Sequence, residues 1–115
     1  MWELESATPA AAKGWANFLF TSPDLATIKE WSAAGVGPSL LHVRDVFFAG
    51  AALRPDWEAA WAATFSSLKP LLASGAAFGV FLGDELAWGC IPLSNISTAA
   101  AAARLDIPRG TGIVY

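Results

Sequence analysis

Four short apolar runs separated by helical stretches predict an α/β fold: alternating β-α units with parallel strands, arranged as part of a (β/α)8 barrel. A small open parallel sheet is the alternative. Three observations point there. The runs 16–20, 39–43, 78–82 and 111–115 are apolar on both faces, as strands under helices are. Helical periodicity fills the intervals between them. Glycines and prolines stand at the junctions.

The elements follow in order. Residues 1–13 show no clean period and read as a tail or capping segment. After the first strand, Ser22 is placed to cap a helix, Pro23 to take its first position and Asp24 to face its positive end. Leu25, Ile28 and Trp31 follow at helical spacing, and Gly35 and Gly37 stop the run. The second strand leads into a long loop over 44–54. Pro55 and Asp56 open a second helix, whose Trp57, Trp61, Phe65, Leu68 and Leu72 form one stripe. Pro70 is expected to kink or end it, and Gly75 to close it. After the third strand, Ser94 and Asn95 are expected to cap an alanine-rich helix running to Arg104. Residues 108–110 then turn the chain into the last strand.

Composition bounds the function. The chain of 115 residues is 55% hydrophobic and only 15% charged, which excludes disorder and suggests surface buried against something else. Its length is under half the roughly 250 residues of a full barrel, so 14–115 is expected to be a partial barrel, truncated at the C-terminus. A net charge of −3 argues against nucleic acid and against a polybasic membrane surface. The run 86–103 is uncharged but holds Pro92, Ser94, Asn95, Ser97 and Thr98, so it is not read as a membrane span. The first residues lack the basic and apolar regions of a signal peptide. Cys90, the single cysteine, allows no internal disulfide and reads as a packed small hydrophobe.

Barrel chemistry belongs at the carboxyl ends of strands. That filter selects Thr21 and Ser22, then His42, Arg44 and Asp45, then Asp84, Glu85 and Trp88, and finally Tyr115. Adjacent residues of an extended segment point opposite ways, so one acid of the Asp84-Glu85 pair can face the barrel axis, and Glu85 is the choice. The alternative is two solvated acids opening a turn after Gly83. Arg44 and Asp45 read as an ion pair shaping the loop. A serine nucleophile has no supporting motif. Asn95-Ile96-Ser97 fits the glycosylation pattern but reads better as a helix cap, and Trp57 and Trp61 read as packing.

The run FGVFLGDELAW resembles the strand of (β/α)8-barrel glycoside hydrolases that ends in an acid/base glutamate. It is similar to the broad clan whose fourth strand ends in Asn-Glu, and to barrel relatives in which the pair reads Asp-Glu. LLHVRDVFF resembles an earlier strand of such barrels, whose end contacts sugar hydroxyls. As a pattern the resemblance spans 14–115. It implies catalytic Glu85 as general acid/base with Asp84 as its partner, and a carbohydrate or other small-molecule substrate met by His42, Arg44, Asp45 and Trp88 as a stacking platform. It implies no cofactor. Asp84 stands where the largest clan has Asn. The second carboxylate such mechanisms need comes from a later strand, so the chain is expected to be inactive alone.

Two other readings stay open. One is a non-catalytic half-barrel that self-associates or is completed by a partner chain through exposed strand edges. The other is a metal-dependent barrel enzyme in which His42, Asp45, Asp84 and Glu85 hold Mg²⁺ or Mn²⁺, although the spacing demands no metal.

Overall fold

A computed structural model describes residues 8–14, 16–107, 109, 110 and 112–114. The expected final strand lies partly outside these, and Tyr115 wholly so. The elements run α1 (Pro9–Ala12), β1 (Leu19–Thr21), α2 (Leu25–Ala33), β2 (Ser39–His42), α3 (Arg44–Phe47), β3 (Phe48–Ala49), β4 (Ala52–Leu53), α4 (Trp57–Ser74), β5 (Ala77–Phe81), α5 (Leu93–Asp106) and β6 (Ile113–Val114). The expected alternation is present, with a short helix ahead of it and a helix plus hairpin inside the long loop.

Local chemistry explains where the boundaries differ from expectation. β1 begins at Leu19, not at residue 16, because β2 cannot pair further upstream. Pro38 has no N–H to give, and its carbonyl accepts from the Leu19 N–H at 3.1 Å. Asp24, not Ser22, caps α2: its carboxylate accepts from the N–H groups of Ala26 and Thr27, and Thr27 Oγ1 also donates to it. Those bonds hold the Asp24 carboxyl below its ordinary value, the Thr27 hydroxyl contributing most. Asp56 precedes α4 but makes no capping bond, because Arg54 claims its carboxylate through Nε at 2.9 Å and Nη2 at 2.8 Å. Arg54 Nη1 also donates to the Asp45 carbonyl at 3.0 Å, which ties the two ends of the loop together.

α4 continues through Pro70 to Ser74 and closes on Gly75 in the left-handed conformation, φ 77°. Pro70 has no N–H, so the helix forgoes one bond there without ending. α5 starts at Leu93 behind Pro92, with no side-chain cap, so Ser94 and Asn95 do not cap it. The Ser94 carbonyl instead accepts from the Thr98 hydroxyl at 2.9 Å.

β1, β2, β5 and β6 form one parallel sheet in that spatial order, and β3 and β4 form a separate antiparallel hairpin. Every strand of the main sheet therefore lies beside its predecessor in the chain. Right-handed crossovers in such an order bring every connecting helix to the same face. The packing agrees: Ile28 of α2, Trp61, Leu68 and Leu71 of α4, and Ala99 and Ala103 of α5 share one buried cluster with Leu41, Ala77 and Val80 of the sheet. A smaller cluster joins Ala12, Leu19, Trp31 and Val36 and fastens α1 to α2 and β1. The α4 stripe buries Trp61 and Leu68 as expected, but Leu71 where Leu72 was expected.

Among the described residues, no helix shares a buried cluster with the residues of the other face of the sheet. Partners in register share a face in a parallel sheet, so Phe20 and Leu40 stand together, as do His42 and Phe81. Phe20 is 39% exposed and Phe18, just before β1, is 49% exposed. Apolarity on both sides of the strands does not here mean burial on both sides.

Candidate functional site at the carboxyl edge of the sheet

His42 and Phe81 are neighbours in register at the ends of β2 and β5, and the Val43 N–H extends the pairing by donating to the Phe81 carbonyl at 2.9 Å. The imidazole lies 5.5 Å from the Phe20 ring and 5.8 Å from the Phe81 ring, and those two rings are 5.4 Å apart. Three strands thus supply one aromatic group each to a cluster at the carboxyl edge. His42 is half-buried there. Burial is the main cause that pulls its pKa below the ordinary 6.5, with Arg44 acting the same way and Asp45 and Asp84 opposing. The site favours the neutral imidazole.

Arg44 opens α3 directly after β2. It pairs with Asp45 at 3.5 Å and donates from Nη2 to the Gly50 carbonyl at 3.5 Å. Its stem lies against Gly83, where a Cβ would come within 3.3 Å of Arg44 Cγ and Cδ and 2.5 Å of Leu86 Cδ2. Glycine at 83 therefore lets the loop after β5 close onto the start of α3, and it brings Asp84 near enough to act on His42. The Arg44–Asp45 ion pair is present, as expected. The Asp45 side chain is 89% exposed, so the pair contributes little to stability.

Asp84, Glu85 and Trp88 lie in an exposed turn after β5. Asp84 and Glu85 are both exposed, and neither side chain makes a hydrogen bond or ion pair among the described residues. Glu85 has φ 46°, a left-handed conformation, and its carbonyl accepts from the Gly89 N–H at 2.9 Å in a tight turn. Glu85 is not among the charges that bias His42. Trp88 is 86% exposed. Cys90 is exposed rather than packed, with φ 61°. Arg44, Asp45 and Asp84 act electrostatically on His42, whereas Glu85 does not and Trp88 stands exposed.

Among the described residues, no three His, Cys, Asp or Glu side chains gather as a metal site, so the oxygen-rich metal cluster weighed from the sequence is not assembled there. No described helix is long and apolar enough to cross a membrane. Phe20 and Phe81, the walls around His42, were not singled out from the sequence. The available signal was their position: each lies at the carboxyl end of a strand, on the same side as His42. Comparison with family models, with curated proteins and with solved structures finds no match to this chain.

Proposed function

We propose that the chain is part of a (β/α)8-type barrel and contributes one half of a carbohydrate-processing, glycoside hydrolase-like site at its carboxyl edge. The observation that supports this reading most is the strand order. Four parallel strands in chain order, with α2, α4 and α5 packed on one face, is the arrangement of a barrel wall, whereas an open doubly wound sheet reverses order and carries helices on both faces. In a barrel the uncovered face turns inward, and the Phe20–His42–Phe81 cluster becomes part of the floor beneath the site.

On this reading Glu85 is the general acid/base, with Asp84 beside it. His42, held neutral, and Arg44 meet sugar hydroxyls, and Trp88 offers a stacking surface from the rim. The second carboxylate comes from the strands that complete the barrel, about 5–5.5 Å from Glu85 in a retaining enzyme and about 6.5–9.5 Å in an inverting one. The test is Glu85→Gln in the longest polypeptide that carries this chain, assayed on a panel of aryl glycosides. Hydrolysis lost with the amide spectrum unchanged is the expected result. Hydrolysis retained overturns the assignment.

A second reading is favoured by the uncovered face itself. Phe18 meets Phe78 edge-on at 6.0 Å, and with Phe20 and Phe81 these rings make an exposed aromatic surface on a small chain. A non-catalytic half-barrel would cover that surface by pairing with another copy or a partner chain. Sedimentation that finds only monomer at high concentration removes self-association.

A further inference from the structure

The helix layer carries an open cleft of about 600 Å³ on the side of the sheet opposite the His42 cluster. Leu25, Lys29, Ser32 and Ala33 form one wall, at the helical spacing that puts them on one face of α2. Ser67, Pro70, Leu71 and Ser74 form the other, on one face of α4. A smaller cleft of about 390 Å³ shares Leu25, Ser67 and Leu71 with it and deepens onto Ile28 and Leu68. Both volumes lie in the range of small-molecule sites, and the combined trough follows α2, whose nine residues span about 14 Å.

The polar groups are few and of one sign at the wide end. Lys29 is the only charged residue lining the larger cleft and has no ion-pair partner among the described residues. Ser32, one turn further along α2, makes no side-chain hydrogen bond among them either, so its hydroxyl is free to donate. The Ser67 and Ser74 hydroxyls are already committed, donating to the carbonyls of Ala63 and Leu71 at 3.4 and 3.1 Å. The free donors are therefore one ammonium and one hydroxyl, side by side on α2. They match the single charge and two oxygens of a carboxylate; Leu25, Ala33, Pro70, Leu71 and Ala76 give the larger cleft its apolar lining, while Asp24 and Thr64 line the smaller one.

We propose that the cleft between α2 and α4 binds a free long-chain carboxylate, its head on Lys29 and Ser32 and its chain along Leu25 and Leu71. The Lys29 and Ser32 end of this site lies on the opposite face of the sheet from the His42 cluster, and the proposal stands whether or not the chain is part of a hydrolase.

The chain is titrated with decanoate and, separately, with decyltrimethylammonium, followed by backbone amide shifts. Decanoate is expected to give saturable shifts at Lys29, Ser32, Ser67 and Ser74. The cationic probe is expected to bind roughly tenfold more weakly, as is decanoate to Lys29→Glu. Ser67→Phe, a change at an exposed position that fills the trough, is expected to abolish binding with the remaining amide shifts preserved. Equal affinity for the cationic probe, shifts concentrated at Phe18 and Phe20, an absence of saturation, or unaltered binding to Ser67→Phe each overturns the proposal.

Discussion

The Trp61 indole N–H donates to the Asp106 carboxylate at 2.7 Å, across 45 positions of sequence, and so ties the first turns of α4 to the end of α5. Trp61 is 3% exposed and also packs against Phe47 at 5.1 Å and Phe65 at 5.8 Å. Asp106→Ala leaves a buried N–H without an acceptor, which costs about 1–3 kcal/mol. Asp106→Asn keeps an acceptor and is expected to cost less. Urea unfolding of the two variants measures the difference. Equal stability of wild type and Asp106→Ala would show that water replaces the carboxylate without loss.

Gly37 fixes the approach of the chain between α2 and β2. A Cβ there would fall 2.0 Å from the Asn17 carbonyl oxygen and 2.7 Å from its carbon, both backbone atoms that cannot rotate away. Gly37→Ala is therefore expected to destabilise by about 1–3 kcal/mol and to disturb the β1–β2 pairing. Gly50→Ala provides the contrast. No atom lies within 4 Å of its Cβ, so any cost there comes from its φ of 59° alone. Denaturation midpoints for both variants separate steric cost from conformational cost.

Much of this architecture was legible in the sequence because local signals and packing agree. The four strand positions, the ends of α2 and α4 at Gly35 and Gly75, and the burial of Trp61 and Leu68 all follow from periodicity and punctuation. The loop over 44–54 was not legible as a helix and hairpin, since Arg54 organises it through bonds to Asp45 and Asp56 that no periodicity encodes. Residues at strand ends could be named from position. Whether two of them act on one another depends on how loops close, and here that turns on Gly83 lying against Arg44. The apolar pattern of the strands also concealed that one face lacks a cover, because pattern reports what a face prefers and not what meets it.

His42 makes stability depend on pH in a defined direction. Its pKa in the folded chain lies below 6.5, chiefly because burial disfavours the imidazolium. Between that lower value and 6.5 the unfolded chain holds more protons than the folded one. The stability linked to His42 is therefore fully present above pH 6.5 and is lost as pH falls through the folded pKa. Titration of the imidazole ring proton by NMR gives the midpoint directly, and a value at or above 6.5 contradicts the assignment. Phe20→Ala opens the imidazole to water and is expected to raise the midpoint. Asp84→Asn removes a charge that favours the imidazolium and is expected to lower it further.

The two faces of the sheet should respond unequally to substitution. Leu41 is fully buried beneath the helices, and Leu41→Ala is expected to cost about 2–5 kcal/mol. Phe20 pairs in register with Leu40 on the uncovered face and keeps 39% of its surface in water, so Phe20→Gln removes less buried area. If another copy covers that face in solution, Phe20→Gln is expected to shift sedimentation toward monomer while the unfolding midpoint moves much less than in Leu41→Ala. A Phe20→Gln chain that unfolds as readily as Leu41→Ala would mean that the aromatic cluster is a second core within the monomer. A chain that stays folded with unchanged association would place the contact between copies elsewhere on the surface.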